Sequence, residues 1–228
     1  MSNLESTIEY QFKNKALLQE ALTHRSYLNE NPSWRLPHNE RLEFLGDAVL
    51  ELAVTEELFN RYPNDDEGKL TALRAALVNY QNLAQVGRNL DLEKSILLSR
   101  GEAKDTGKAR EVILANAVEA LIGAIYLDSD YQTVKKIVNK SVLIDLERVI
   151  RQGAYRDAKS LLQEKSQSDK KVTPTYKTVE ESGPEHHKLF KVGVYLGDEL
   201  IAIGEGHSKQ EAELEAAKRA LDIIQKSI

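Results

Sequence analysis

The sequence predicts an all-α domain followed by a small α+β domain with elements in the order α-β-β-β-α. From Asn14 to about Ile150, apolar residues recur at spacings of three and four, which is the pattern of amphipathic helices. After residues 151–156 the pattern changes to one helix, three short strands and a last helix. We therefore predict a helical domain over residues 1–150, a linker over 151–156 and a second domain over 157–228.

The predicted elements of the first domain are helices separated by turn residues such as Pro63 and Asn64. These helices cover Lys15–Leu22, Arg41–Arg61, Glu67–Leu90, Glu111–Tyr126 and Tyr131–Ile150. In the second domain, Asp157 is predicted to cap a helix over Ala158–Lys165, and Ser208 a helix that ends near Ile224. The predicted strands are Thr175–Val179, Leu189–Tyr195 and Leu200–Gly204.

The composition excludes several classes of protein and site. Hydrophobic residues make up 41% of the chain and charged residues 29%, which is typical of globular domains. Because the chain has no cysteine, it forms no disulfide and no thiolate zinc site, so a metal ion must be held by oxygen or histidine ligands. The N-terminus lacks a signal-peptide pattern, and no apolar run approaches the ~20 residues that span a bilayer. We expect a cytoplasmic protein.

The net charge of -5 decides little about partners. It argues mildly against indiscriminate binding to nucleic acid, because phosphate contacts need a concentrated basic surface. A local basic patch remains compatible with it. Net acidity also suits a protein that gathers carboxylates around divalent cations, whose own charge is absent from the count.

The first candidate site is an acidic stripe at the start of the second predicted helix. Glu40, Glu43 and Asp47 fall within an arc of about 60° at 3.6 residues per turn, and hard cations prefer several such oxygen ligands. The alternative is a solvated face of an amphipathic helix, and this helix alone favours that alternative. Against it, the stripe continues to Glu51 with no cationic residue inside it.

The second candidate site is a glutamate in a helix that is otherwise apolar on every side. Between Val112 and Leu127, the strongly polar side chains are Asn116 and Glu119, three residues apart on one face. A buried glutamate must be neutralised, paired or bound to a metal ion. A salt bridge to an arginine such as Arg74 or Arg110, or a protonated carboxyl, is the structural alternative.

Together the two helices predict a cation site lined by oxygen atoms. Its members would be Glu43, Asp47, Asn116 and Glu119. Two cations ~4 Å apart in such a site activate water and stabilise the leaving oxygen of a phosphodiester. Phosphodiester hydrolysis is therefore the predicted chemistry.

Four segments in order resemble the ribonuclease III family. The stretch from His38 to Asp47 resembles the family signature, and it is accompanied by Leu22–Tyr27, Asp66–Leu70 and Glu119–Asp128. The resemblance implies a helical endonuclease domain that forms a homodimer and places two sites across an RNA duplex. It also implies products with 5′-phosphate and 3′-hydroxyl ends and short 3′ overhangs, and substrates that include ribosomal RNA precursors and structured messenger RNA.

The resemblance assigns roles residue by residue. Glu43, Asp47 and Glu119 match the metal-binding acids of the family, with Asp47 and Glu119 in the essential catalytic positions. Glu40 and Glu67 match auxiliary acids near the scissile phosphates. The expected cofactor is Mg²⁺, for which Mn²⁺ can substitute.

Asn116 departs from the bacterial pattern, which usually has aspartate there. An asparagine carbonyl still ligates Mg²⁺, but the site loses one negative charge and should bind cations less tightly. The departure motivates an alternative function, a double-stranded RNA-binding protein with weakened catalysis. A helical metal phosphohydrolase acting on small molecules is a second, weaker alternative.

The α-β-β-β-α segment resembles a double-stranded RNA-binding domain, which reads A-form RNA by shape. The matching pieces are Lys159–Glu164, Pro174–Tyr176, Gly183–Phe190 and Gly204–Glu213. The resemblance implies that Gln163, Glu164 and His186 face the minor grooves, and that Ser208 and Lys209 meet phosphate at a helix N-terminus. A second basic residue is expected where Gln210 and Glu211 stand, so the grip on phosphate should be weak.

Overall fold

The helices of the first unit follow the apolar periodicity of the sequence. A computed structural model describes residues 2–152, 158–184 and 188–226, and the chain divides into two units, Met1–Tyr155 and Arg156–Ile228. Helices of the first unit are α1 (Ser2–Thr7), α2 (Lys15–Ala21), α3 (Arg25–Glu30), α4 (Glu40–Arg61), α5 (Glu67–Val78), α6 (Tyr80–Asn89), α7 (Lys108–Asp128), α8 (Tyr131–Ser141) and α9 (Leu146–Gln152). Short 3₁₀ turns cover Leu92–Lys94, Glu102–Lys104 and Leu143–Asp145.

Two predicted helices are in fact broken, and the prediction of one continuous helix in each place was wrong. Between α5 and α6, Asn79 has extended backbone and its side chain accepts a hydrogen bond from the Asn82 backbone N–H, so it caps a new helix. Between α8 and α9, the Ser141 hydroxyl donates to the Ile137 carbonyl, and a 3₁₀ turn follows. Such local hydrogen bonds compete with the helical ladder.

Helix α7 is the centre of the helical unit, as its apolar composition predicts. It packs against α4, α6 and α2, and its residues Leu114, Leu121 and Ile125 are fully buried. Burial of each such side chain stabilises the fold by about 1.5–3 kcal/mol relative to exposure. The buried helix fixes the frame in which Asn116 and Glu119 are presented.

The C-terminal end of α7 anchors the segment that leads into α2. The Tyr10 hydroxyl donates to the Asp128 carboxylate at 2.6 Å, and the backbone N–H groups of Lys13 and Asn14 donate to the same carboxylate at 2.8 Å each. Burial alone raises the pKa of Asp128, but these hydrogen bonds outweigh it and the pKa is lowered. One carboxylate therefore holds three donors from a segment more than 110 residues away in sequence.

The second unit confirms the predicted α-β-β-β-α order. It contains α10 (Ala158–Lys170), β1 (Pro174–Ser182), β2 (Leu189–Leu196), β3 (Glu199–Gly206) and α11 (Lys209–Lys226). The strands form an antiparallel sheet in the order β1-β2-β3. The predicted helix cap Asp157 and most of the predicted linker lie outside the described residues.

Small residues let α11 lie directly on the sheet. A β-carbon at Gly204 of β3 would lie 2.2 Å from the Ala216 backbone nitrogen. Ala216, Ala217 and Ala220 on the facing side of the helix are fully buried, together with Leu162 of α10 and Val194 of β2. The Ala-rich stripe of α11 is thus the core of this unit.

Two hydrogen bonds fix the start of α11. The Ser208 hydroxyl accepts from the Glu211 backbone N–H at 3.1 Å, and the Glu211 carboxylate accepts from the His207 backbone N–H at 2.9 Å. This is a variant of the capping box, in which the glutamate binds the backbone N–H one residue before the cap, and it confirms Ser208 as the residue that caps the last helix. Across the described ranges, no helix combines the length and the apolar composition needed to cross a lipid bilayer.

Candidate active site and nucleic-acid interface

The start of α4 is fixed by a buried asparagine that the spacing argument did not single out. Asn39 is 2% exposed. Its backbone N–H donates to the Thr23 carbonyl at 2.9 Å, its side-chain amide donates to the Ala21 carbonyl at 3.4 Å, and its carbonyl accepts from the Glu43 N–H at 2.8 Å. Asn39 therefore ties the first turn of α4, which carries the acidic stripe, to the end of α2.

Two glycines set the distance between the acidic helices. A β-carbon at Gly46 of α4 would lie 1.7 Å from the Glu119 carbonyl oxygen of α7, and one at Gly123 would lie 2.3 Å from the Leu42 carbonyl oxygen. No side chain fits in either place, so the two backbones touch at this crossing. Asp47 follows Gly46 directly, and Glu119 is itself a contact residue, so the crossing brings the charge of Asp47 close enough to act on Glu119.

The acids of the two helices share one electrostatic environment. Glu43, Asn116 and Glu119 are half-buried, whereas Asp47 is exposed. Burial, and then the negative charges of Asp47, Glu43 and Glu51, raise the pKa of Glu119 to about 7. The charges of Asp47 and Glu43 on α4 therefore act on Glu119 of α7 across the helix crossing.

Glu43 is the second acid whose ionisation is disfavoured. Burial is the largest cause of its raised pKa, and the charges of Glu40 and Asp47 add to it. The Asn116 side chain interacts with the Glu43 carboxylate and offsets part of the shift. Asn116 of α7 therefore interacts with an acid of the other helix, α4, in addition to lying three residues from Glu119.

The salt-bridge alternative for Glu119 is not what the structure contains. Arg74 donates to the Thr55 hydroxyl at 3.1 Å, and Arg110 donates to the Glu93 carbonyl at 3.2 Å. Within residues 2–152, 158–184 and 188–226, Glu119 takes part in no ion pair with lysine, arginine or histidine. A protonated carboxyl, the other alternative, agrees with the raised pKa of Glu119 when no cation is bound.

The donor set suits a hard divalent cation, although it is not gathered to ligand distance. In the described part of the chain, no three His, Cys, Asp or Glu side chains stand close enough together to hold a metal ion. The neighbouring negative charges instead disfavour ionisation, which adds to the effect of burial on the pKa values of Glu43 and Glu119. Three carboxylates and one amide oxygen are nevertheless the kind of ligand that such a cation prefers. Its positive charge would favour the ionised forms of Glu43 and Glu119, whose pKa values are raised without it.

The two auxiliary acids lie in different places. Glu40 belongs to the cluster, since its charge acts on Glu43, and its carboxylate lies 3.4 Å from the Arg25 guanidinium and 3.8 Å from His38 Nδ1. Glu67 instead lines a cavity beside the C-terminal half of α4, with Thr55 among its neighbours. Thr55 is eight residues, or ~12 Å, along α4 from Asp47, so one chain alone does not bring Glu67 to the cluster.

In the described part of the second unit, the predicted RNA contacts are exposed, but Lys209 is already paired with an acid. Gln163 and Glu164 of α10, and Ser208 and Lys209 at the start of α11, are exposed. The Lys209 ammonium lies 2.9 Å from the Glu181 carboxylate, a partner that the sequence pattern did not reveal. His186, the remaining predicted contact, lies outside the described residues.

The capping box explains why a lysine is absent from one expected position. Glu211 stands where a second basic residue was expected, and its carboxylate is the one that binds the His207 N–H. A lysine cannot accept that hydrogen bond. The start of α11 therefore carries a carboxylate, that of Glu211, at a position where a positive charge would favour RNA binding.

Family models match both units. A family described as Ribonuclease-III-like matches residues 14–146, and a family described as Double-stranded RNA binding motif matches residues 158–224. Among curated relatives, Ribonuclease 3 of a Nitratiruptor species is 42% identical over 224 residues, covering 98% of this chain and 96% of the relative. Ribonuclease 3 of Carboxydothermus hydrogenoformans is also 42% identical, covering 97% of this chain and 94% of the relative.

A solved structure matches the helical unit. The crystal structure of the nuclease domain of ribonuclease III from Campylobacter jejuni is 44% identical in sequence, with a TM-score of 0.56. The match covers 62% of this chain and 92% of that one. A second structure of that domain is described as showing flexibility in a region involved in its dimer formation.

Proposed function

The chain belongs to the ribonuclease III family, and from this we infer that it is an endoribonuclease that hydrolyses phosphodiester bonds of double-stranded RNA. The structural observation that supports the inference is the close crossing of α4 and α7 at Gly46 and Gly123, across which the charge of Asp47 acts on Glu119. The test is cleavage of a duplex RNA by the full chain across a titration of Mg²⁺ and Mn²⁺. Cleavage that requires the metal supports the function, and an intact duplex under every condition contradicts it.

We propose that Glu43, Asp47, Asn116 and Glu119 hold Mg²⁺, with Mn²⁺ able to replace it. When bound, the metal supplies an activated water and charge stabilisation at the leaving oxygen of the phosphodiester. Asp47, being exposed, is free to turn toward a cation at the surface. Glu119, half-buried on the rigid α7, supplies a fixed oxygen, and a bound cation lowers its pKa from about 7 by favouring the ionised form.

The remaining acids take roles around this centre. The backbone N–H of Glu43 donates to the Asn39 carbonyl, and its side chain interacts with Asn116. Asn116 contributes a neutral oxygen to the metal ion. Glu40 and Glu67 act near the scissile phosphate. Because Glu67 lies apart from the cluster within one chain, its role requires that it meet the active site of a second copy.

The exposed face of α4 supports a homodimer formed by the helical domain. Phe44, Leu52 and Phe59 fall within ~80° around this helix, and they are 83%, 56% and 68% exposed. Exposed apolar patches of this kind mark association surfaces. In the dimer, each subunit would cut one strand of the duplex.

We propose that residues 1–150 are the endonuclease domain, 151–156 the linker and 157–228 the double-stranded RNA-binding domain. Gln163, Glu164 and His186 would face minor grooves, and Ser208 and Lys209 a phosphate. Cleavage would leave 5′-phosphate and 3′-hydroxyl ends with short 3′ overhangs. The substrates would include ribosomal RNA precursors and messenger RNA in the cytoplasm.

One specific residue favours a second candidate function, an RNA-binding protein with weakened catalysis. Asn116 leaves the cluster one negative charge short of the bacterial pattern, so cation affinity is lower. Tight duplex binding with no cleavage in either Mg²⁺ or Mn²⁺ would support this candidate. Cleavage that disappears in Asp47→Asn, while binding persists, would exclude it.

A further inference from the structure

Three elements of the RNA-binding unit meet around one lysine. Lys209 begins α11, and its ammonium lies 2.9 Å from the carboxylate of Glu181, near the end of β1. The same ammonium lies 5.6 Å from the centre of the Phe190 ring on β2. The strand register pairs Glu181 with Phe190, so sheet geometry holds the carboxylate in place. Lys209, a proposed phosphate contact, is thus already bound to an anion of its own chain.

Glu181 also attracts a second cation. Its other carboxylate oxygen lies 3.9 Å from the Lys188 ammonium. The hydrogen bond from Lys209 is the largest cause of a lowered pKa at Glu181. The carboxylate is therefore charged throughout the physiological pH range, as a phosphate group is.

The neighbouring charges follow the same arrangement. Lys191 lies 2.9 Å from the Glu180 carboxylate and 3.9 Å from that of Glu205. From residue 158 to residue 228, the sequence has 11 lysines and arginines against 12 aspartates and glutamates. Binding of duplex RNA depends on cationic charge brought to the phosphates. This unit uses part of that charge in internal ion pairs.

We propose that Glu181 is an internal competitor of RNA phosphate for Lys209, and that it limits the affinity of this protein for duplex RNA. The proposal rests on the proposed function as a double-stranded RNA-binding enzyme. To contact Lys209, a phosphate must share the ammonium with the Glu181 carboxylate or displace it, and in either case that carboxylate stands beside the RNA as a like charge. Glu181 thus sets how much of the lysine charge reaches the substrate.

The proposal predicts a change in affinity and a change in salt dependence. In the wild type, Lys209 and Glu181 together bring no net charge to the duplex, so few counterions are released at that point. Glu181→Gln brings one net positive charge. We expect about three- to tenfold tighter duplex binding at low salt. The plot of log K against log salt concentration should become steeper by at most about 0.9, the value for one phosphate contact.

The experiment measures binding of the full chain to a short duplex RNA in EDTA, over a range of salt concentrations. Asp198→Asn is the control, because it makes the same change in net charge at the opposite end of β2, about 25 Å away at 3.3 Å per residue. Lys209→Gln and the double variant complete a cycle. The gain from Glu181→Gln should disappear in the Lys209→Gln background, and Asp198→Asn should change affinity less than twofold. Circular dichroism and thermal melting check that each variant folds.

Three results would overturn the proposal. In the first, Glu181→Gln binds no more tightly than Asp198→Asn. In the second, its gain persists without Lys209, which would mean that net charge alone is responsible. In the third, Glu181→Gln weakens binding, which would make the ion pair a support for the RNA-binding conformation. A wild type that binds no duplex would instead contradict the proposed function itself, and the proposal with it.

Discussion

Gly46 of α4 lies against the backbone of Glu119 on α7, so closely that a β-carbon at Gly46 would fall 1.7 Å from the Glu119 carbonyl oxygen. The spacing of the acids is thus set by contact between two backbones and not by side-chain packing. A change at this contact must separate the helices and, with them, Asp47 and Glu119.

Gly46→Ala should destabilise the helical unit by about 3 kcal/mol or more, because overpacking against a backbone has no side chain to relax. Cleavage of duplex RNA by this variant should also fall, even under conditions in which the variant is still folded. Urea unfolding measures the first effect and initial cleavage rates the second. Gly68→Ala in α5 is the control, since its β-carbon would be 3.4 Å from the nearest atom, the Asp66 carboxylate. Equal stability of the two variants would contradict the proposed contact.

Asp47→Asn and Glu119→Lys should each reduce cleavage by about a thousandfold or more while duplex affinity in EDTA stays within about twofold, because the acids serve the metal and not the RNA grip. Initial rates in saturating Mg²⁺ and binding to the same duplex are the two measurements. Asn60→Asp at the far end of α4 is a control for the effect of a substitution elsewhere on this helix. Parallel loss of cleavage and binding would place these acids in RNA recognition instead.

Asn116→Asp should lower the Mg²⁺ concentration for half-maximal cleavage by about tenfold, since a carboxylate replaces the neutral amide that interacts with Glu43. A metal titration of the initial rate tests this. Asn60→Asp adds the same charge ~20 Å along α4 from Asp47 and should leave the titration unchanged. An unchanged midpoint in Asn116→Asp would show that position 116 does not contribute to metal binding.

Phe44→Ser should shift the protein from dimer to monomer at micromolar concentration, because it removes the most exposed of the three apolar side chains on the outer face of α4. Light scattering after size-exclusion chromatography reports the mass. Ile144→Ser is the matched control, since Ile144 is also exposed, at 68%, but lies in the 3₁₀ turn before α9. Dimer loss in both variants, or in neither, would refute the assignment of the interface to α4.

Asp128→Asn should cost about 1 kcal/mol of stability at pH 7, because an amide accepts hydrogen bonds less strongly than a carboxylate. The pKa of Asp128 is lowered in the folded state, so its contribution is present above the unfolded value of about 3.9 and is lost as the pH falls through the folded value. The difference between wild type and variant should therefore disappear in strong acid. Urea unfolding at pH 7, 5 and 2 measures it.

Tyr10→Phe is the companion to that experiment. It removes the hydroxyl donor but keeps the two backbone N–H groups of Lys13 and Asn14 on the carboxylate. Its loss of stability should therefore be smaller than that of Asp128→Asn. A constant difference between wild type and Asp128→Asn at every pH would contradict the electrostatic explanation.

The residues of the acidic cluster could be predicted because their signals are local. The acids of α4 recur at helical spacing, and Glu119 interrupts an apolar helix, so both features are visible within a few turns of chain. The strands of the second unit were predictable for the same reason. The break at Asn79 was not, because its capping side chain sits inside a pattern that remains apolar at helical spacing on both sides.

The missing parts depend on contacts between distant segments. Nothing near Gly46 or Gly123 in sequence says that each faces the backbone of the other helix. The Asn39 hydrogen bonds and the Glu181–Lys209 pair likewise require the fold, the second of them through strand register. The spacing of residues in the sequence predicts on which face of a helix or strand a side chain lies. Which residue of another element it contacts is determined by how the elements pack.

The capping box of α11 constrains how this chain can change its attraction for RNA. A lysine at position 211 would add charge but remove the anion that closes the helix start. The side chain of Gln210 takes part in neither of the two capping hydrogen bonds, and it is exposed. Evolution, or a protein engineer, can therefore tune this surface with little loss of stability through residue 210, while residue 211 is closed to the same adjustment.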